Sequence, residues 1–406
     1  MGFFVESTLV KNTGEVIHKT PRCGLCRLHK RCESPKMEPT GKGKRKILIV
    51  GEAPGKTEDE RGKQFVGKSG RYLKEALASV GIDMRRDCIL ENSLRCRPPG
   101  NETPTNEQIS YCYPNVRETI EQYNPDVILT VGRAGLQSVL TGIWTESLGA
   151  MGRWVGWSIP CRSFNCWIVP TYHPSFVIRE LEQTKGKSAV EAIYKQHLKI
   201  SKNLDGPPFK KVVDLRDKIE ILYDDEKVAE SLDKFRRKGG PIAFDYETNM
   251  LKPDHSEADI VSISVCWRGK RTLSFPWRGG LTRLAWKQLL ESDSPKIAHG
   301  IKFEDRWSKR IGIQPKNFVW CSMTNAHIIN CYPEISSLEF QSFVLLGVEP
   351  YSKHISQFLG DADGSYGLNK INRIEMNDLL MYGGLDSLTC YMVANKQREM
   401  LNLPKL

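Results

Sequence analysis

The segment at residues 51–67, GEAPGKTEDERGKQFVG, has residue types that suggest chemistry rather than a simple turn. It directly follows an apolar run, and it combines glycine and proline with Glu52, Glu58 and Phe65. A turn needs glycine and proline, but it needs neither carboxylates nor an aromatic ring. The segment therefore predicts a loop that binds a ligand or acts in catalysis.

Four cysteines have a spacing that suggests a metal centre. Cys23 and Cys26 form a C-x-x-C pair, and Cys96 and Cys112 follow beside basic and proline-rich sequence. The chain has no apolar run that could span a bilayer and no signal-peptide pattern, so we expect it to work in a reducing cytoplasm. Metal ligation is then favoured over disulfides. Four thiolates suit either zinc or an iron–sulfur cluster, and spacing alone does not separate the two.

Carboxylates in the second half of the chain are spaced as ligands for divalent metal ions. Asp245 and Glu247 are two residues apart on a predicted strand and therefore share a face. Tyr382 and Asp386 are four residues apart on a predicted helix and also share a face. Glu304 lies between these pairs at a predicted strand-to-helix transition. Together the three clusters indicate a site for divalent metal.

Strands that alternate with helices must position the groups of the first half. Strands are predicted at 46–50, 88–93, 126–132 and 166–175, and helices at 70–81 and 133–140. The alternation predicts an α/β fold with a parallel sheet covered by helices, which binds ligands at the carboxyl ends of its strands. Gly51, Asn92 and the HPS triplet at 173–175 lie at such ends, so we expect them to meet at one rim.

The length and charge of the chain indicate its domain organisation and the kind of partner it binds. The segment 201–211 contains Gly, Pro and charge without periodicity, and it predicts a first domain at 1–205 and a second at 206–406. The formal net charge is +11, and residues 1–50 hold eleven Lys or Arg against four Glu. A basic surface favours a polyanionic partner, with nucleic acid first, whereas a solvated loop is the alternative.

The first part of the chain, about residues 20–200, resembles family 4 uracil-DNA glycosylases, the iron–sulfur branch often associated with bacteriophage DNA polymerases. The resemblance is carried by the cysteine spacing, by GEAPG with ED and FVG downstream, by CRPPGN with an Asn four residues before its Cys, and by YHPS. It implies a glycosylase-like α/β fold. It also implies a mainly structural [4Fe–4S] cluster on Cys23, Cys26, Cys96 and Cys112, so zinc becomes a minor alternative.

The same resemblance implies a uracil pocket. A glycosylase lifts its target base out of the DNA helix and holds it in a tight site. The backbone at Gly51, Pro54 and Gly55 would approach the deoxyribose and uracil closely, and Ala53 is also expected to bind uracil. Phe65 would stack on the flipped base. Asn92 would offer a donor and an acceptor to the uracil edge and so distinguish uracil from cytosine.

Catalytic roles carried over from the family fall on three residues. His173 would bind uracil and donate a hydrogen bond to the oxygen that gains charge as the N-glycosidic bond breaks. Glu52 and Glu58 are candidates for orienting water or stabilising a cationic sugar. Gln64 stands where the family usually has proline, which is a mild departure.

The second part, about residues 240–395, resembles the tyrosine type of DEDD 3′–5′ exonucleases found in family A DNA polymerases. The resemblance implies an RNase H-like domain, a mixed sheet with helices, that binds two Mg²⁺ or Mn²⁺ ions. One ion would activate water and the other would stabilise the leaving oxygen. Asp245, Glu247, Glu304 and Asp386 would hold the metals, and Tyr382 would orient the attacking water.

The middle motif of this second part departs from the family pattern. The usual form is His-Asn-x-Lys-Phe-Asp, whereas this chain has His299, Gly300 and Glu304 at the first, second and last positions. Glutamate can still bind a metal, but its extra methylene changes the geometry, and Asp305 is a possible substitute. We expect exonuclease activity, at a reduced rate.

These observations predict a DNA enzyme that excises uracil and trims 3′ ends. Its expected substrates are uracil-containing DNA and single-stranded or frayed 3′ ends, with no membrane partner. Only twenty residues follow Asp386, so the expected polymerase partner is a separate, phage replicative chain, and the expected location is the cytoplasm of the host cell. One alternative is a proofreading exonuclease whose glycosylase-like domain only binds DNA or the polymerase. The other is a replisome scaffold with two degenerate sites.

Overall fold

The computed structural model describes residues 8–10, 16–360 and 367–406. The chain divides into two compact units, Met1–Val212 with Gly347–Glu349, and Val213–Leu346 with Pro350–Leu406. Among the described residues, no helix combines the length and the apolar character needed to cross a membrane.

The first unit alternates strands and helices along most of its length. Its strands are β1 (Thr8–Val10), β2 (Val16–His18), β3 (Thr40–Gly41), β4 (Ile47–Gly51), β5 (Cys88–Asn92), β6 (Val127–Val131), β7 (Ile159–Cys161) and β8 (Cys166–Thr171). Its helices are α1 (Cys23–Cys26), α2 (Lys56–Arg61), α3 (Lys68–Ser79), α4 (Met84–Asp87), α5 (Asn106–Tyr123), α6 (Gly132–Leu140), α7 (Pro174–Gln183) and α8 (Val190–Asn203).

The main sheet of the first unit has the order β3-β5-β4-β6-β8-β7. The four central strands β5, β4, β6 and β8 are parallel, which confirms the predicted parallel sheet, while the edge strands β3 and β7 pair antiparallel. Strands β4, β5 and β6 are buried along their whole length because helices cover both faces of the sheet. Their side chains are therefore largely apolar, although Glu91, Asn92 and Thr130 are also buried.

One predicted strand of the first unit is too long. The apolar run at 166–175 forms a strand only as far as Thr171, and helix α7 begins at Pro174 with His173 as its N-cap. Proline at the first helical position fits because its missing N–H would have no partner within the helix, and its fixed φ suits the helix. The HPS triplet is therefore the start of a helix that follows the strand end.

The second unit is also built around one sheet. Its strands are β9 (Ile219–Ile221), β10 (Ile242–Thr248), β11 (Ile260–Trp267), β12 (Arg271–Pro276), β13 (Lys296–Ala298) and β14 (Phe318–Cys321). Its helices are α9 (Asp225–Lys238), α10 (Gly280–Leu290), α11 (Ile301–Arg310), α12 (Ser322–Ile329), α13 (Leu338–Leu346), α14 (Lys353–Leu359) and α15 (Met376–Met400).

The sheet of the second unit is mixed, with the order β14-β13-β10-β11-β12-β9. Strands β10, β11 and β12 are antiparallel, and β13 and β14 extend the sheet in parallel from β10. Helix α15 packs very closely on this sheet. Ser264 Oγ on β11 donates to the Gly383 carbonyl at 2.6 Å, and a Cβ at Gly384 would lie only 2.5 Å from Ile219 Cγ2. Gly384 thus allows the helix to approach the strands.

Candidate active sites

A cleft of about 990 Å³ opens at the carboxyl ends of the parallel strands in the first unit. The residues predicted to meet at this rim line it together, namely Glu52, Ala53, Glu58, Phe65, Asn92 and His173. Lysines and arginines also border the cleft at Lys56, Lys68, Arg133 and Arg179. The cleft is therefore concave, partly apolar at its wall and basic at its border, as a site for a base in a nucleic acid must be.

Gly51 lies behind the cleft and allows two of its side chains to come together. It is the last residue of β4 and pairs with Asn92, the last residue of β5. A Cβ at Gly51 would lie 2.5 Å from Asn92 Oδ1 and 2.8 Å from Phe65 Cζ. Any larger residue would therefore displace the amide or the ring.

Phe65 is held in a backbone conformation that is rare for a large side chain. Its φ is +56°, in the left-handed region. A side chain at Gly70 on α3 would overlap the Phe65 carbonyl, so glycine lets this helix pack onto the loop. Gln64 anchors the turn, because its amide donates to the Glu38 carbonyl at 3.0 Å and its own carbonyl accepts from Arg85. The side-chain bond to Glu38 is one that only a polar residue such as glutamine can make at this position.

The imidazole of His173 has a defined hydrogen-bonding state. Its Nδ1 accepts from the Ser175 N–H at 3.2 Å and lies 2.7 Å from Ser175 Oγ. Burial, with a smaller contribution from Arg179, lowers the pKa of His173 to about 4. The ring is therefore neutral at pH 7, and because Nδ1 accepts from a backbone N–H, the proton is on Nε2. Nε2–H is left as a donor at the cleft.

The two glutamates of the loop differ in what they contact. Glu58 Oε1 accepts backbone N–H groups of Val66 at 2.9 Å and Gly67 at 2.6 Å, so this carboxylate holds the loop that carries Phe65. Burial raises the pKa of Glu52, whose carboxylate has no comparable backbone partners among the described hydrogen bonds. Both line the cleft, but Glu52 is the freer carboxylate.

The four predicted ligand cysteines lie around one small apolar cavity of the first unit. Cys23 and Cys26 are the first and last residues of α1, Cys112 is on α5, and Cys96 follows β5. They line the cavity together with Leu28, His29, Leu94 and Tyr111. The structure thus brings together residues that are up to ninety positions apart in the sequence.

Hydrogen-bond donors around these thiols fit an iron–sulfur cluster. The Lys36 N–H lies 3.2 Å from Cys96 Sγ, and Asn115 Nδ2 lies 3.3 Å from Cys112 Sγ, which also receives the Arg95 N–H. Burial raises the pKa of Cys96 to about 12 and that of Cys112 to about 11. Buried thiolates therefore need a cationic group beside them, and an iron cluster supplies it while the N–H donors stabilise the sulfur charge.

Three predicted metal ligands of the second unit converge. Carboxylate oxygens of Asp245, Glu247 and Asp386 lie within 4.8 Å of one another. Asp245 and Glu247 project from the same face of β10, while Tyr246 between them is buried on the other face and bonds to Ser308 at 2.8 Å. Helix α15 supplies Asp386, and Gly384 allows this helix to pack close to the sheet.

The middle motif contributes one buried carboxylate. Glu304 on α11 is only 2% exposed, and its Oε2 has no hydrogen-bond partner among the described residues. Asp305, the possible substitute, instead pairs with Lys309 at 2.6 Å on the outer part of the helix. Gly300 has a φ of +130°, a region open to glycine, and it caps α11 without a side-chain bond.

The electrostatics of the cluster fit divalent cations. Burial, followed by mutual repulsion, raises the pKa values of Asp245, Glu247 and Glu304 well above the usual range. Burial also raises the pKa of Asp386 to about 7. Asp245, Glu247 and Asp386 converge, and Glu304 lies outside this group but close enough to be repelled by it. These carboxylates cannot all be charged without compensation, and hard divalent ions with oxygen ligands provide it.

Two tyrosines contact this cluster, whereas the sequence predicted only one. Tyr382 on α15 is hydrogen-bonded to Asp386, as its spacing of four residues suggests. Tyr351, which precedes α14, also donates to Asp386 Oδ1. A lone tyrosine in a loop carries no sequence signal for such a contact, so sequence reasoning missed it.

Two domain families match the chain, one in each unit. Residues 38–197 match the uracil DNA glycosylase superfamily, and residues 219–402 match the 3′–5′ exonuclease family. Both resemblances inferred from the motifs are thereby confirmed.

Among known proteins, the type-4 uracil-DNA glycosylase of Thermotoga maritima is 32% identical over 180 residues, covering 44% of this chain and 90% of that protein. The DNA polymerase of Bacillus phage SP01 is 31% identical over 146 residues, covering 36% of this chain but only 15% of the polymerase. Among solved structures, RNase D of Escherichia coli aligns at 13% identity with a TM-score of 0.35, covering 45% of each chain.

The glycosylase match covers most of a curated relative, and its motifs coincide with the cleft and the cysteine cavity. The second unit has the mixed α/β sheet of an RNase H-like exonuclease domain. Both families are hydrolases, and type-4 glycosylases are the iron–sulfur branch. The chain therefore belongs to the type-4 uracil-DNA glycosylase family, and it carries a 3′–5′ exonuclease domain that follows the glycosylase domain in the sequence.

Proposed function

We propose that one chain performs two separate hydrolyses on DNA. The first unit cleaves the N-glycosidic bond of deoxyuridine and releases uracil, and the second removes nucleotides from 3′ ends. The domains are taken to extend over 1–205 and 206–406. The observation that carries the proposal is that both sets of predicted residues converge, one around the cleft and one around a carboxylate cluster.

Uracil would enter the cleft after flipping out of the DNA. Phe65 stacks on the base, and the amide of Asn92 bonds to its Watson–Crick edge. Gly51 and Ala53 leave room for the backbone to lie close to the nucleotide. Discrimination against cytosine follows because cytosine reverses the donor and acceptor on that edge.

Bond cleavage would depend on His173 and Glu52. As the bond from the sugar to N1 breaks, negative charge moves onto uracil, and His173 Nε2–H donates to the uracil oxygen that receives it. One preorganised donor of this kind is worth about 3 kcal/mol. Glu52 accepts a proton from the water that attacks the sugar carbon or stabilises the cationic sugar, and Glu58 keeps the loop in place.

The cysteines Cys23, Cys26, Cys96 and Cys112 would hold a [4Fe–4S] cluster whose role is structural. Bound there, the cluster would connect α1 to α5 and to the loop after Asn92, which carries residues of one cleft wall. The donors from Lys36, Arg95 and Asn115 support this assignment.

In the second unit, Asp245, Glu247, Glu304 and Asp386 would hold two Mg²⁺ or Mn²⁺ ions. Such ions, when bound, lower the pKa of a water and stabilise the leaving oxygen of a phosphodiester. Tyr382 orients the attacking water. The unpartnered buried oxygen of Glu304 supports its place among the ligands.

Similarity to a phage DNA polymerase supports a role beside a replicative polymerase, in the cytoplasm of the host cell. In that setting the exonuclease would trim mispaired, frayed 3′ ends, and the glycosylase would remove uracil from template or product.

Reciprocal variants test the two assignments. We expect His173→Ala to reduce uracil excision by about 10²–10³-fold while 3′ trimming is unchanged. We expect Asp245→Ala to abolish 3′ trimming while uracil excision is unchanged. Each variant is the folding control for the other. Uracil excision at the normal rate in His173→Ala would contradict the glycosylase site, and normal trimming in Asp245→Ala would contradict the nuclease site.

A further inference from the structure

Asp386 is contacted by two tyrosines, although the exonuclease assignment uses only one. Tyr382, one turn earlier on α15, is hydrogen-bonded to its carboxylate. The hydroxyl of Tyr351 donates to Asp386 Oδ1 and lies 3.3 Å from Thr389 Oγ1 on the next turn of the same helix. Tyr351 therefore contacts the carboxylate and the helix that carries it.

The loop that carries Tyr351 is held by a contact outside the predicted metal ligands. Ser352, its neighbour, donates to Glu339 Oε1 through its N–H at 3.3 Å and through its hydroxyl at 2.8 Å. Glu339 is on α13, which packs against α15. The Tyr351 ring lies 5.8 Å from the Tyr382 ring at an angle of 56°. The hydroxyl is thus aimed at Asp386 by a loop with its own anchor.

A carboxylate that binds a metal must present one oxygen in a fixed direction. Free rotation of the Asp386 side chain would spread its two oxygens over several positions and weaken binding. A hydroxyl that donates to Oδ1 restricts this rotation, so the carboxylate presents its remaining lone pairs in a fixed direction. Partners of this kind beyond the ligands themselves typically change metal affinity 10–100-fold.

We propose that Tyr351 is a positioning residue of the exonuclease site, which orients Asp386 for divalent metal and leaves Tyr382 to act on water. The inference rests on the proposed exonuclease function. It divides two neighbouring tyrosines into one that serves metal binding and one that serves the chemical step. It also adds a residue that lies outside the three motifs.

The test measures Mn²⁺ binding without DNA, from the electron paramagnetic resonance signal of free Mn²⁺, beside the rate of 3′ trimming at increasing Mn²⁺. We expect Tyr351→Phe to weaken Mn²⁺ binding on the order of 10–100-fold. The Mn²⁺ concentration for half-maximal trimming rises in parallel, and the rate recovers at saturating Mn²⁺. Tyr382→Phe lowers the maximal rate even at saturating Mn²⁺, because Tyr382 acts on the attacking water.

Tyr391→Phe is the matched control. Its hydroxyl is on the same helix but donates to the Leu406 carbonyl at 2.8 Å, so Mn²⁺ binding and trimming stay at the wild-type level. If Tyr351→Phe does not fold, Ser352→Ala replaces it. That variant keeps the Tyr351 hydroxyl but removes one of the two bonds that hold its loop to Glu339, and it too must weaken Mn²⁺ binding.

Wild-type Mn²⁺ binding in the variant tested overturns the proposal. So does a lowered maximal rate at saturating Mn²⁺ with unchanged binding, because the roles of the two tyrosines would then be reversed. Asp245→Ala separates this failure from failure of the proposed function. If Asp245→Ala still trims DNA, the site itself is wrong, whereas its inactivity beside a normal Tyr351→Phe contradicts only the inference.

Discussion

At the scale of single residues, the sites depend on which atoms the protein leaves available. His173 is neutral because it is buried, and the Ser175 N–H fixes its tautomer. One carboxylate oxygen of Glu58 accepts hydrogen bonds from the backbone of the Phe65 loop, whereas the described hydrogen bonds give Glu52 no such partner. Residue type and spacing predicted all three as candidates. Which nitrogen carries the proton, and which glutamate is free, depends on backbone contacts that a sequence does not reveal.

The protonation of His173 leads to the first prediction. The pKa of His173 is about 4, below the ordinary 6.5, so the unfolded chain binds more protons between these values. The contribution of this residue to the free energy of unfolding therefore decreases as the pH falls from 6.5 towards 4. We expect ¹⁵N resonances of the His173 ring to show the Nε2–H tautomer without titration between about pH 5 and pH 8.

Assignment of those resonances comes from their absence in His173→Gln. A ring that titrates near its ordinary pKa, or a tautomer with the proton on Nδ1, would contradict the proposed donor.

The second prediction separates the two glutamates. Glu52→Gln is expected to reduce uracil excision by about 10²–10⁴-fold, the usual contribution of a carboxylate in acid–base catalysis, with little change in stability. Glu58→Gln loses charge-assisted bonds to Val66 and Gly67, so the free energy of unfolding falls by about 1–3 kcal/mol. Single-turnover excision and chemical denaturation measure both effects. A Glu58→Gln variant that is stable but inactive would assign the catalytic role to Glu58 instead.

At the scale of elements, long apolar or strongly periodic segments were predictable and short or polar ones were not. Strands β4, β5 and β6 could be predicted from their mainly apolar sequences, which arise because both faces of the sheet are covered. Edge strand β3 has two residues and edge strand β7 has three, too few for a pattern. Helix α2 lies inside the polar segment that the sequence suggested was a loop. Glu58 lies in the first turn of that helix, and from there its carboxylate holds the loop that carries Phe65.

The close packing of α15 leads to a prediction from a matched pair of glycines. A Cβ at Gly384 would lie 2.5 Å from Ile219 Cγ2, whereas a Cβ at Gly383 meets nothing nearer than 3.6 Å. Gly384→Ala should therefore lower the free energy of unfolding by about 1–3 kcal/mol through overpacking. Gly383→Ala should change it by no more than about 1 kcal/mol, in the stabilising direction that alanine gives a helix. Denaturant titration checks both, and equal effects would contradict the close approach.

At the scale of the whole molecule, the motifs predicted both domain families, because each motif set is spread along its domain in a fixed order. What they could not supply is contact across long sequence distances. The cavity that unites Cys23 with Cys112 and the bond from Tyr351 to Asp386 exist only once the chain is folded. Glu304 illustrates the same limit, since its buried, unpartnered oxygen could not be known from a motif that departs from its family.

The cluster assignment leads to a prediction for the first domain. Cys96→Ser should remove the iron, which is expected at about four atoms per chain, and should destabilise the first domain while 3′ trimming continues. Cys331→Ser is the control, because Cys331 is exposed and belongs to the other unit. Measurement of iron and acid-labile sulfide decides the matter. Full iron content in Cys96→Ser would show that another residue completes the site.

The most direct test of the central claim uses a 5′-labelled single-stranded oligonucleotide with one internal uracil. The protein is incubated with it in EDTA, and alkali then cleaves abasic sites before the products are separated on a sequencing gel. We expect a single band at the uracil position, and a 3′-to-5′ ladder only when Mg²⁺ is restored. Intact DNA in EDTA, with the ladder alone on restoring Mg²⁺, would contradict the claim that one chain carries both activities.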